Sequence, residues 1–161
     1  MASTPSPVLH DALRPLEFLL GTWEGEGRGS YPTIESFRYR EEARFWHIGK
    51  PFLAYSQRTW SVVDGSPMHS ESGYWRPQDD GSLEVVLAHP FGAVEVDRGL
   101  IEGATIELAS SSVVTTPSAK RIDGVTRKMS VAEGVLSYVF AMAAEDQPLQ
   151  FHLTAHLERA D

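Results

Sequence analysis

The chain has 161 residues, no cysteine and a formal net charge of −8, with hydrophobic residues at 42% and charged residues at 22%. Length and balance fit one globular domain, and the missing thiols exclude disulfides, thiolate nucleophiles and covalent c-type heme attachment. The acidic balance argues against a nucleic-acid partner, and no apolar run approaches the roughly 20 residues that span a bilayer, so no membrane partner is expected either.

Residues 1–8 are rich in Ser and Pro and carry neither a basic nor an apolar signal region. They read as a frayed tail ahead of a domain at 9–161, and a cytoplasmic location is expected. Residues 9–20 offer one or two helical turns, with Pro15 suited to a first helical position and Gly21 to a stop. Everything downstream alternates with the period of two that marks a strand with one buried face. In residues 36–47, Phe37, Tyr39, Ala43 and Phe45 share one face, while Arg38, Arg40, Glu42 and Arg44 share the other.

Further strands are expected at 51–61, 68–76, 82–89, 93–98, 105–110, 122–131, 135–142 and 149–159. Asp64-Gly65, Asp79-Asp80-Gly81, Asp123-Gly124 and Glu133-Gly134 supply tight-turn chemistry between several of them. About ten short antiparallel strands with no crossover helix predict an all-β protein, and closure into a barrel removes the exposed edges. The helical turns would then form its lid. Gly25, Gly27 and Gly29 read as a glycine-rich strand where backbone or ligand comes close.

Candidate chemistry is sparse. No Gly-x-Ser-x-Gly elbow is present, and the carboxylates, Glu41-Glu42 included, read as scattered along exposed strand faces with no acid–base pair. His152 and His156 are four residues apart, about 13 Å on a strand and too far to share an ion. His69 and Glu71 lie on one strand face, where solvated polar alternation is the expected reading. Parity sets Leu149, Phe151, Leu153, Ala155 and Leu157 on one face and His152 on the other with Thr154 and His156. A functional His152 needs the opposite geometry.

Gly21-Thr22-Trp23-Glu24-Gly25-Glu26-Gly27 matches the Gly-x-Trp-x-Gly-x-Gly signature of nitrobindins. Residues 31–34, 49–53, 68–74, 118–120 and 152–153 resemble further landmarks of that family in order, so the resemblance spans Leu13 to Arg159. It implies a compact barrel, similar to fatty-acid-binding proteins, holding one b-type heme per chain. By position in the motif, His152 would be the axial iron ligand and the residue through which catalysis runs. Thr33 and Lys120 would lie near the heme, and Met68, His69 and Met142 are candidates for the distal wall. The implied activity is isomerisation of peroxynitrite to nitrate on ferric heme, with nitric oxide as a second ligand. Two other readings fit a barrel with Gly-x-Trp: a carrier for a fatty acid or other amphipathic ligand, with Arg58 or Arg127 pairing its carboxylate, and a nitric oxide sensor without catalysis. The sequence sets no oligomeric state, a homodimer being among the options.

Overall fold

The structure, a computed structural model, describes residues 4–161; of the expected tail, residues 1–3 lie outside the described residues. Residues 4–8 are exposed and take no regular form. A 3₁₀ helix follows at Asp11–Leu19, its first turn capped by His10 Nδ1, which accepts a hydrogen bond from the Ala12 N–H at 3.1 Å. Ten antiparallel strands complete the chain: β1 (Gly21–Tyr31), β2 (Ile34–Trp46), β3 (Leu53–Ser61), β4 (Pro67–Pro77), β5 (Ser82–His89), β6 (Ala93–Glu102), β7 (Thr105–Thr115), β8 (Ile122–Ala132), β9 (Val135–Ala144) and β10 (Gln150–Arg159). Each pairs with its sequence neighbours, and β10 returns to β1, so the sheet is a closed barrel with no free edge.

The helix seals one end. Leu13, Leu16 and Leu19 are fully buried, and their spacing of three puts them on one face of a 3₁₀ helix. Below them Trp23 Nε1 donates to the Leu19 carbonyl at 2.8 Å. Arg159 stacks its guanidinium 4.3 Å from the Trp23 ring centroid and donates to the carbonyls of Phe18 and Leu20. The helical segment is therefore a plug at the base of the barrel, pinned by the first and last strands. Trp75 packs edge to face with Phe45 and Tyr55 in the adjoining core, and those two rings lie tilted against each other.

Several local expectations change. Pro15 lies inside the helix, and Leu20 caps its end with its N–H on the Glu17 carbonyl. Gly21, at φ +121°, opens β1 instead of ending the helix. Gly65, Gly81 and Gly134 do occupy left-handed turns, at φ +73°, +83° and +78°. Gly124 does not: it belongs to β8 beside a register shift against β9, and the β7–β8 connection lies at 116–121. Strands β6 and β7 run past the expected ends at 98 and 110, to Glu102 and Thr115, and pair with each other along that length; the alternation of β6 is also inverted. Glu95 and Asp97 face inward, while Val94 and Leu100 are 45% and 55% exposed.

The glycines of β1 answer to close approach. A Cβ on Gly25 would stand 2.1 Å from the His156 carbonyl oxygen, and one on Gly27 2.3 Å from the Tyr39 ring. The first lets β1 and β10 close the seam; the second gives an inward ring its space.

Candidate functional site

Above the core is a cavity of about 580 Å³, open at the end opposite the plug. That volume lies in the range of small-molecule and cofactor sites, roughly 300–1,000 Å³. Its rim includes Thr33, Ile34, Phe91, Lys120 and Glu145, and its walls carry aromatic, methionine and ionisable side chains.

His152 is on that wall, against the parity expectation. Across the β9–β10 pair, Phe151 faces Ala141 and Leu153 faces Phe140, so His152 is one residue too many for the register. Such a bulge re-aims a side chain. Both His152 and Leu153 line the cavity, whereas Phe151 points outward beneath the guanidinium of Arg28. His156 is exposed and bonds Ser137 Oγ at 2.8 Å, so the two histidines serve different faces.

The imidazole is held in one tautomer. Its Nδ1 is 3.1 Å from the Ser30 carbonyl, which can only accept, so Nδ1 carries the hydrogen and Nε2 keeps a free lone pair. Burial pushes its pKa below the ordinary value against the opposing pull of that carbonyl, leaving the ring neutral at pH 7, as a metal ligand requires. Tyr31, Phe37 and Phe140 surround it with centroids at 5.3, 6.3 and 6.0 Å. A flat aromatic cofactor bound through a metal fits this donor and these walls.

Thr33 and Lys120 meet at the mouth through a shared partner. Thr33 Oγ1 donates to Glu145 Oε2 at 3.2 Å, and Lys120 Nζ lies 3.9 Å from Glu145 Oε1. Both are exposed, which suits contacts to a charged group projecting from the cavity. Met68, His69 and Met142 all line the cavity. Gly21, Trp23, Gly25 and Gly27 do not; the signature builds the sealed end and the seam.

Deeper in the cavity is an ionic network whose carboxylates the sequence pattern assigns to solvent and whose arginine, Arg127, it offers as an inward-facing candidate. Glu41, Glu71, Glu95 and Asp97 are buried, and Arg127 lies among them. Arg127 donates to Glu71 Oε1 at 3.1 Å, to Glu71 Oε2 at 3.2 Å and to Glu95 Oε1 at 2.5 Å, with Asp97 Oδ2 3.5 Å from its Nε. Burial alone would raise the Glu71 and Glu95 carboxyls, but Arg127 with His89, joined at Glu71 by His69, overrides it, holding Glu71 well below the usual range and Glu95 at about 2. Asp97 goes the other way, pushed up to about 8 by burial and then by Glu95. Glu41 rises to about 7, also through burial, although Tyr138 donates to it. Tyr39 is 2.7 Å from the Tyr138 hydroxyl, which completes a tyrosine–tyrosine–carboxylate chain.

The network bears on the carrier reading. Arg58 is exposed and pairs Glu42 at 2.6 Å, so it does not face the cavity. Arg127 does, but three carboxylates already surround it, and a fourth from a fatty acid would meet net negative charge. A parity count could have found two of these groups: Glu41 falls between Tyr39 and Ala43 on the apolar face of β2, and Arg127 between Val125 and Met129 on that of β8.

Fold and site together define a closed barrel that takes a small planar ligand, with a neutral histidine free to bind a metal. Residues 12–159 match the family described as the THAP4-like, heme-binding beta-barrel domain. A protein from Arabidopsis thaliana named peroxynitrite isomerase Rv2717c is 48% identical over 156 residues, covering 96% of this chain and 92% of its own. Peroxynitrite isomerase 1 from Mycolicibacterium paratuberculosis is 48% identical over 155 residues, covering 94% and 96%. The crystal structure of Rv2717c from M. tuberculosis superposes with a TM-score of 0.90 at 45% identity, covering 96% of this chain and all of that one. The chain belongs to the THAP4-like heme-binding β-barrel family, in keeping with the nitrobindin resemblance.

Proposed function

We propose that the domain at 9–161 binds one heme b per chain through His152 Nε2 and, with the iron ferric, isomerises peroxynitrite to nitrate, nitric oxide being a second ligand. The observation that carries this reading is the bulged His152, neutral and fixed by Ser30, in the wall of an open cavity. Relatives named peroxynitrite isomerases, similar over nearly the whole chain, supply the reaction.

Bound heme supplies a Lewis-acidic iron with one position free for the substrate. The protein's own residues do the rest. Ser30 orients the imidazole and raises its donor strength. Tyr31, Phe37 and Phe140 offer apolar ring surface. Lys120 and Thr33, which share Glu145 at the mouth, would hold the cofactor's propionates there. Met68 and Met142 line the cavity and would give bound substrate an apolar wall. No helix among the described residues is long and apolar enough to cross a membrane, and a cytoplasmic site of action is part of the same proposal.

The test is spectroscopic and kinetic. Protein reconstituted with hemin should show a Soret band that His152→Ala abolishes and added imidazole restores. Ferric protein should accelerate peroxynitrite decay and raise the nitrate yield over heme-free protein. A Soret band unchanged in His152→Ala refutes the ligand assignment, and equal decay rates refute the activity.

A further inference from the structure

On the wall facing His152, three side chains outside the heme-ligand assignment converge on one point. His69 and Glu71 come from β4 and His89 from the end of β5, and β5 is five strands from β10 in either direction around the ring. His69 Nε2 is 3.3 Å from His89 Nδ1 and 3.7 Å from Glu71 Oε2, and His89 Nδ1 is 3.4 Å from that same oxygen. Four ligands placed tetrahedrally about 2.1 Å from a zinc ion stand roughly 3.4 Å apart. The triangle already has the edges such an ion needs.

The surroundings match. His89 Nε2 donates to Glu95 Oε1 at 2.7 Å, which turns Nδ1 toward the triangle. A carboxylate behind the outer nitrogen is the usual support of a metal-bound histidine. Glu71 is likewise fixed, by Tyr55 through its Oε1 at 2.8 Å and by Arg127. Arg127 is one guanidinium between two buried carboxylates, Glu71 and Glu95. The buried cluster is short of cations. All three donors line the cavity, so a fourth position would open toward it.

The geometry points to a second metal site: a divalent ion of the zinc type held by His69 Nε2, His89 Nδ1 and Glu71 Oε2, with its open position facing the cavity. Two imidazoles and one carboxylate with a free fourth place is a donor set that binds zinc without thiolates. None of its ligands is His152, although His69 is also a candidate for the distal wall of the same cavity.

Cobalt(II), which substitutes for zinc and absorbs in the visible, is the probe, used on the full chain free of heme. One equivalent should bind with the absorption of a four- or five-coordinate ion, and zinc should displace it. His69→Asn and His89→Gln should each weaken binding at least 100-fold. Glu95→Gln, which removes only the support behind His89, should weaken it about 10–100-fold. His152→Ala should abolish the Soret band of reconstituted protein and leave cobalt binding as it was, which separates the two sites. Near-UV circular dichroism reports whether each variant is folded, and the half-exposed His69 gives a variant with little core to disturb. The inference is overturned if folded wild-type protein binds no stoichiometric cobalt, or if binding survives in folded His69→Asn and His89→Gln, or disappears with His152.

Discussion

Arg127→Met isolates the energetics of the buried network. The substitution keeps the aliphatic stem and removes the one guanidinium that Glu71 and Glu95 share. Breaking a buried ion pair from one side costs about 3–5 kcal/mol, and for a domain of this size each kcal/mol shifts Tm by about 2–4 °C. The expected loss at pH 8 is therefore roughly 6–20 °C in heme-free protein kept in chelator. In the wild type, Glu71 and Glu95 have folded pKa values below their unfolded ones, so their stabilisation is complete above the unfolded value and fades as pH falls below it. Without Arg127, burial raises both above the unfolded value, so the variant recovers as acid protonates them. Thermal unfolding of both proteins at pH 8 and pH 5 should show the larger deficit at pH 8. A deficit below about 2 °C, or one of equal size at both pH values, refutes the reasoning.

Asp97, raised to about 8, favours folding fully below its unfolded pKa and loses that contribution as pH climbs through 8; Asp97→Asn should gain on the wild type in urea midpoint from pH 5 to pH 9. Trp23→Phe leaves the buried Leu19 carbonyl without its donor and should lower stability by about 1–3 kcal/mol, read by urea unfolding, with the Soret band of reconstituted protein retained. Gly25→Ala drives a methyl into the His156 carbonyl and should destabilise by about 1–3 kcal/mol or more, with amide exchange rising first along the β1–β10 seam. Lys120→Ala removes one exposed cation at the mouth and should speed heme transfer to apomyoglobin by only about five-fold, in line with the roughly 1 kcal/mol of an exposed charge contact.

Strand positions and barrel closure were legible because alternation and turn glycines are local signals, and Asp64-Gly65 and Glu133-Gly134 behave as their chemistry demands. What failed were the places where the chain breaks its own count. The bulge at His152 shifts parity by one, and bulges carry no side-chain signature, so the residue reads as outward in sequence and faces inward in space. Strand β6 misleads for another reason: it buries Glu95 and Asp97 and exposes Val94 and Leu100, because His89 from the adjacent β5 and Arg127 from β8, two strands away, reach its inner face. Such pairing across strands is invisible to a period. Glu71 shows the same limit, since a carboxylate next to histidines reads as solvated until Tyr55 and Arg127 are seen to close over it.

The plug packed on Trp23 closes one end of the barrel, and among the described residues the cavity opens at the other. Nothing can flow through it, so the first molecule to enter governs the passage of every later one, and a product departs by the route its precursor took. An occupant seated near the doorway would thus set the order in which the inner walls are served, and loading sequence becomes a property of the architecture itself.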